Sequence, residues 1–266
     1  MTKNVLVKIE YDGTFFHGWQ RQPGERTVQG ELERVFSILC AEPIELAATG
    51  RTDRGVHAIC QCATFKGDFA IPINRMKEAA NSLLADRKNA AGAAIGDVRV
   101  LSVEEVHEDF HARFSCKGKT YRYSIDMGEP CTFMRNYTYY VKDSLNLDAM
   151  KAAAKIMVGT HDFKCFEAAG GNPRETTVRT IYDISISKDG NSVIIDVTGD
   201  GFLYNMVRII SGTLIDVGRG KIEPNFVSHI IESGDRKKAG HTAPPYGLYL
   251  KEIYFTDEFK EKGKLK

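Results

Sequence analysis

Two strand-like runs on either side of a turn signal constrain this chain more than any other feature. Residues 181–187 and 192–198 flank Lys188-Asp189-Gly190-Asn191. Asp-Gly between such runs is a strong hairpin signal, because glycine supplies the positive φ that a tight turn needs. The chain must therefore build an antiparallel sheet, and one face of that sheet must be covered.

The covering elements are legible on both sides of the hairpin. In the first half, Val5, Val7, Ile9 and Tyr11 alternate, so residues 4–11 read as a strand ended by Asp12-Gly13. Val28, Leu32, Val35, Phe36 and Leu39 fall at helical spacing, with Thr27 as the N-cap. Residues 60–66 read as a strand. Pro72 opens a helix with Met76, Ala79, Ala80, Leu83 and Leu84 on one face, and residues 93–103 read as a further strand. The second half repeats this order. It has a strand over 120–126, a helix over 146–158 ended by Gly159, and the hairpin. A helix over 203–217 follows, with Met206, Val207, Ile210, Thr213, Leu214 and Val217 on its buried side, ended by Gly218. A short helix runs from Pro224 to Gly234, and residues 248–255 form the last strand. The pattern predicts an α+β protein of two similar halves, each an antiparallel sheet with helices on one face. The expected halves are residues 1–105 and 106–256, followed by a frayed basic tail over 257–266. Residues 168–175, glycine-rich and carrying Pro173, read as a loop.

The 266 residues can bury a sizeable core, and 42% hydrophobic with 27% charged residues is ordinary for a globular chain. A net charge of +1 does not advertise nucleic acid, so any RNA-binding cations must be gathered on one face. Cys40, Cys60, Cys62, Cys116, Cys131 and Cys165 include no Cys-x-x-Cys pair, and they read as small core hydrophobes in a reducing compartment. Neither a secretory signal nor a membrane-length apolar run is legible, and a cytoplasmic location is expected.

One segment is too polar for a core and too compact for a linker: Gly50-Arg51-Thr52-Asp53-Arg54-Gly55-Val56-His57-Ala58. Its glycines permit tight turns that would hold Asp53 on a fixed loop. Residue types alone leave two readings. One is a turn stabilised by Arg–Asp pairing. The other is a carboxylate kept ionised by neighbouring guanidinium groups and used as a nucleophile or base.

The segment resembles the catalytic motif of tRNA pseudouridine synthases of the TruA family. The similarity covers nearly the whole chain. Tyr11-Asp12-Gly13-Thr14-Phe15-Phe16-His17-Gly18-Trp19-Gln20-Arg21-Gln22 is similar to the family's opening, and Thr27-Val28-Gln29-Gly30 to its first helix start. Phe110-His111-Ala112-Arg113-Phe114-Ser115, with Lys119-Thr120-Tyr121-Arg122-Tyr123, resembles the segment that supplies the active-site tyrosine. Gly159-Thr160-His161-Asp162-Phe163 is similar to the mid-chain motif. Phe202-Leu203-Tyr204-Asn205-Met206-Val207-Arg208 resembles the helix whose arginine pairs with the catalytic aspartate, and Thr242-Ala243-Pro244-Pro245-Tyr246-Gly247-Leu248 the final motif.

The resemblance implies Asp53 as catalytic nucleophile, Tyr121 packed on a flipped base, Arg208 as partner of Asp53, and Leu248 lining the pocket. It implies two halves joined across a central active-site cleft, a homodimer, and uridines 38–40 of the tRNA anticodon arm as substrate, with no cofactor or metal. Arg54 stands where many members have alanine. His57 reads as a loop-ordering or RNA-contacting group, and Trp19 as packing. Arg51, Arg54, Lys117, Lys119, Arg122, Arg174 and Arg179 are candidate phosphate contacts. His161-Asp162 has no nucleophile elbow with it and reads as structural.

Two decoys fall away. Gly118-Lys119-Thr120 lacks the upstream glycine of a phosphate loop, since position 113 is Arg113. Gly199-Asp200-Gly201 has Tyr204 where a dinucleotide fingerprint needs glycine. One rival is a catalytically silent tRNA-binding or RNA-folding protein on the same fold, which an altered Asp53 or Tyr121 would favour. The other is an RNA ligase or hydrolase, which would need a phosphate loop, a metal cluster or a nucleophile elbow.

Overall fold

A computed structural model describes residues 2–88, 94–171 and 175–261. The chain divides into two compact units, Met1–Cys116 with Leu250–Phe255, and Lys117–Tyr249 with Thr256–Lys266. The break therefore falls after Cys116, eleven residues beyond the boundary expected from sequence.

The first unit runs β1 (Lys3–Tyr11), α1 (Val28–Cys40), β2 (Ala47–Ala48), β3 (His57–Gly67), α2 (Ile73–Leu84), β4 (Arg87–Lys88), β5 (Ala94–Ile95), β6 (Val98–Val106) and α3 (Ala112–Ser115). β1 lies between β6 and β3, antiparallel to both, and β2 adds to β3. Thr27 caps α1 as expected: its backbone is extended and its hydroxyl accepts the Gly30 N–H at 3.2 Å. Val28, Leu32, Val35 and Phe36 are wholly buried. Each contributes about 1.5–3 kcal/mol by leaving water, an upper bound because the unfolded chain already hides some of that surface. Leu83, expected on the apolar face of α2, is exposed. The strand expected over 93–103 is interrupted. Residue 93 lies outside the described residues, and the long strand β6 begins at Val98, after Gly96 packs against the Leu84 carbonyl.

The second unit runs β7 (Gly118–Met127), β8 (Tyr139–Val141), α4 (Leu147–Met157), β9 (Gly159–Asp162), β10 (Val178–Asp189), β11 (Ser192–Gly199), α5 (Met206–Gly218), α6 (Phe226–Ser233) and β12 (Leu248–Tyr254), whose residues from Leu250 onward belong to the first unit beside β3. The hairpin is present with only Gly190 and Asn191 between its strands, and Gly190 takes a φ of 56°. The strand order is β7-β11-β10-β9, antiparallel throughout, with the short β8 parallel to β7. Asn146 caps α4 by accepting the Ala149 N–H at 3.1 Å.

α5 departs most from expectation. It begins at Met206, not at residue 203, because Asn205 sits in the left-handed region at φ 58°. Every residue expected on its apolar stripe is buried, but so are Ile209, Ser211, Gly212 and Ile215. A helix buried over most of its surface is an interior helix. Gly212 is needed there, since a Cβ would stand 1.8 Å from the His241 carbonyl oxygen.

The basic tail is ordered at its start: Phe259 is buried and meets the Tyr182 ring edge-on at 5.1 Å. Residues 262–266 lie outside the described residues. All six cysteines are free thiols; Cys40, Cys62 and Cys165 are buried, whereas Cys60 and Cys116 are half-buried and Cys131 is exposed, which corrects their reading as core residues. Among the described residues no helix is long and apolar enough to cross a membrane.

Candidate active site

The first unit presents Asp53 on the loop between β2 and β3, and a buried polar network holds the loop's stem. Gln61 on β3 is wholly buried. Its side-chain oxygen accepts from the Thr49 hydroxyl at 2.6 Å and its amide donates to the Gly50 carbonyl at 2.9 Å. Thr52, one residue before the aspartate, shares a 2.7 Å hydrogen bond with the Tyr11 hydroxyl at the end of β1. Burial pushes the Tyr11 phenol far above its usual range, against smaller opposing effects of hydrogen bonds with Thr52 and Gln61. Tyr11 thus stays protonated as a fixed member of the network.

The other side of the loop is clamped by residues 12–19. Trp19 N–H donates to the Thr52 carbonyl at 3.0 Å, and Val56 N–H to the Asp53 carbonyl at 3.1 Å. Gly13 lies so close to Val56 that a Cβ would stand 2.0 Å from its carbonyl oxygen. Gly18, at φ 83°, similarly abuts the Thr52 carbonyl. His57 is buried, and its Nδ1 accepts the Gly13 N–H at 3.0 Å. The Asp12 carboxylate lies 3.2 Å from Nδ1 but accepts from the Thr14 N–H at 2.9 Å and from the Thr14 hydroxyl. His57 therefore orders the loop from inside the fold. Trp19 is 2% exposed and packs near Tyr11. On the braced stem, Asp53 is only partly buried, and Arg51 and Arg54 are exposed.

In the second unit, Tyr121 and Tyr123 stand two apart on β7 and so share one face. Tyr121 is 9% exposed and meets the Phe202 ring edge-on at 5.2 Å. Tyr123 donates to the Pro244 carbonyl at 2.9 Å. Burial holds its phenol far above the usual range, and the Arg208 charge opposes that shift, so the guanidinium lies within electrostatic reach of this face. Arg208, half-buried on α5, gives Nε to the Ala243 carbonyl at 2.7 Å and Nη1 to Asn205 Oδ1 at 2.6 Å. The left-handed Asn205 that delays the start of α5 is thus also a clamp on Arg208. Leu248, 6% exposed, opens β12 directly after the turn Pro245–Gly247. Tyr121, Arg208 and the stretch 243–248 are gathered around one face of β7.

The phosphate candidates separate. Arg122 is committed to Asp196 on the neighbouring strand by paired contacts of 2.9 and 3.0 Å, which corrects its reading as a phosphate contact. Arg179 turns back onto the carbonyls of Thr176 and Val178. Lys117 is exposed and Lys119 half-buried, and Arg174 lies outside the described residues. Asp162 accepts from the Lys164 N–H and the Thr177 hydroxyl, a structural role. Sequence reasoning missed the bracing set of Tyr11, Gly13, Thr52 and Gln61. Tyr11, Gly13 and Thr52 were in view as motif residues, but no local signal says what they touch. Among the described residues no three His, Cys, Asp or Glu side chains are grouped to hold a metal ion.

Comparison with known proteins places this geometry in a class. The family model described as tRNA pseudouridine synthase matches residues 8–115 and 153–256, which take in the Asp53 loop, Arg208 and Leu248. The chain belongs to the tRNA pseudouridine synthase family, isomerases in enzyme class. Relatives within it carry the name tRNA pseudouridine synthase A. One from Clostridium perfringens, "tRNA pseudouridine synthase A 2", is 46% identical over 95% of this chain and all of its own length. One from Acetivibrio thermocellus is 45% identical over the same shares. A solved structure, "Crystal Structure of a Cbf5-Nop10-Gar1 Complex", covers 94% of this chain and 59% of its own at 9% identity and a TM-score of 0.34, too slight a likeness to bear on the fold.

Proposed function

We propose that this protein converts uridine to pseudouridine at positions 38, 39 or 40 in the anticodon arm of tRNA, with Asp53 as the nucleophile. The observation that carries the reading is the Asp53 loop. Its stem is locked on both sides by buried hydrogen bonds and glycine contacts, while Asp53 as a residue is only half-buried. That is how a reactive group is held at fixed geometry yet left accessible.

The reaction breaks the bond between C1′ and N1 and forms one between C1′ and C5. N1 gains a proton and C5 loses one. Nothing is oxidised or reduced, so protein side chains can serve without an electron carrier. The target base leaves its stack first. Tyr121 packs on it, Leu248 lines its pocket, and Arg208 supplies the positive charge that aims Asp53. Attack at C1′, addition at C6 and removal of the C2′ proton all fit a single aspartate. Exposed Arg51 and Arg54 contact phosphates. His57 serves binding through the loop it orders. The enzyme works as a cytoplasmic homodimer.

The test is to incubate unmodified tRNA with the protein, without added metal or cofactor, and map pseudouridine by carbodiimide modification and primer extension. Pseudouridine at 38, 39 or 40 supports the reading. Pseudouridine only at other positions corrects the site, and tight tRNA binding with none formed favours the silent RNA-binding protein.

A further inference from the structure

Residues 111–115 hold out an aromatic ring that the fold does not use. Phe114 is 76% exposed, yet the turn that carries it is tied at nearly every donor. The Ala112 N–H reaches Thr64 Oγ1 on β3 at 3.2 Å, and both residues are buried. The Arg113 N–H is accepted by His111 Nδ1 at 3.1 Å. The Ser115 N–H reaches the His111 carbonyl at 2.8 Å, and the His111 N–H returns to Ser115 Oγ at 3.2 Å. The backbone beneath the ring is therefore fixed to the sheet.

The ring's neighbours decide what it can hold. Phe133 is 85% exposed, so exposure alone identifies nothing. Around Phe114, the His111 imidazole lies 4.4 Å away between centroids, tilted by 34°, and the Arg113 guanidinium carbon is 5.9 Å from the ring centre. Arg113 is itself exposed. A protein partner needs a broad, charge-depleted patch around its anchor. A single ring flanked by an imidazole and a guanidinium instead suits one nucleobase and its phosphate.

We propose that Phe114 stacks on an unstacked base of the bound tRNA while Arg113 meets the adjacent phosphate, so that residues 111–115 form a base-recognition site in addition to the site residues already named. The proposal rests on the tRNA reading above.

Binding of unmodified tRNA, followed by fluorescence anisotropy at fixed salt, tests it in the Asp53→Asn protein, where no turnover intervenes. Phe114→Leu is expected to weaken binding about tenfold, with the melting temperature unchanged, and Phe114→Trp to restore it. Equal affinity for Phe114→Leu and its parent overturns the proposal. So does a Phe114→Leu protein that sediments at a different mass, because the ring would then join two copies of the chain. Wild-type turnover with Phe114-independent binding sinks this inference alone. Phe114-dependent binding without wild-type turnover sinks the enzymatic reading and leaves the recognition site standing.

Discussion

Asp53 and Arg208 are held by backbone of opposite character. Asp53 sits on a loop whose stem is fixed by contacts from distant parts of the first unit: Tyr11 on Thr52, Gln61 on Thr49 and Gly50, and Gly13 against Val56. Arg208 rides on α5, a helix buried over most of its surface, and is clamped by neighbours close in space to the helix start. The loop gains precision from many weak, separately removable contacts. The helix gains it from packing that tolerates no added volume. Damage to the loop should therefore appear first as lost activity, and damage to the helix first as lost stability.

Gly212→Ala is the severest test on the helix side. Its Cβ would meet the His241 carbonyl at 1.8 Å, with backbone on both sides. A cost of about 3 kcal/mol or more is expected in urea unfolding. A cost below about 1 kcal/mol would show that α5 can shift, and the contrast would fail.

Gly13→Ala makes the matching insertion on the loop side, 2.0 Å from the Val56 carbonyl. The contact is with backbone, so stability falls too, by about 1–3 kcal/mol, less than in Gly212→Ala. Displacing Asp53 should still lower kcat about a hundredfold with KM little changed. An equal loss in both proteins' stability, with activity retained in Gly13→Ala, would break the comparison.

Tyr11→Phe removes one buried hydroxyl and leaves Thr52 without that partner. A loss of about 1–2 kcal/mol is expected, with a smaller fall in kcat than Gly13→Ala produces. Stopped-flow kinetics beside thermal melts would measure both.

The smallest effect is expected from Arg122→Met. Its guanidinium belongs to Asp196, so tRNA affinity and its salt dependence should stay within about twofold while stability falls by about 1 kcal/mol. A clear drop in the salt slope would return Arg122 to the phosphate contacts.

The two regions also differ in how far the sequence reveals them. The apolar spacing of α5 identified its core stripe correctly, because periodicity is local. It could not show that the opposite face is covered as well, nor that Asn205 turns left-handed and starts the helix three residues late. The Asp53 loop was legible as a motif. Its bracing was not, because Tyr11 and Thr52 are 41 residues apart and meet only through the pairing of β1 with β3. Arg122 looked like a free cation for the same reason, since its partner is 74 residues away across a strand pair whose register the sequence does not print. Phe114 was in view within its motif, but its exposure and its rigid turn are properties of the folded chain alone.

The most direct test of the central claim is tritium release from tRNA labelled at uridine C5, comparing wild type with Asp53→Asn and adding neither metal nor cofactor. The account predicts steady release by the wild type and a loss of more than about a thousandfold in the variant. It also predicts a stability change under about 0.5 kcal/mol and nearly unchanged tRNA affinity. Release that persists in a folded Asp53→Asn protein would contradict the assignment of Asp53.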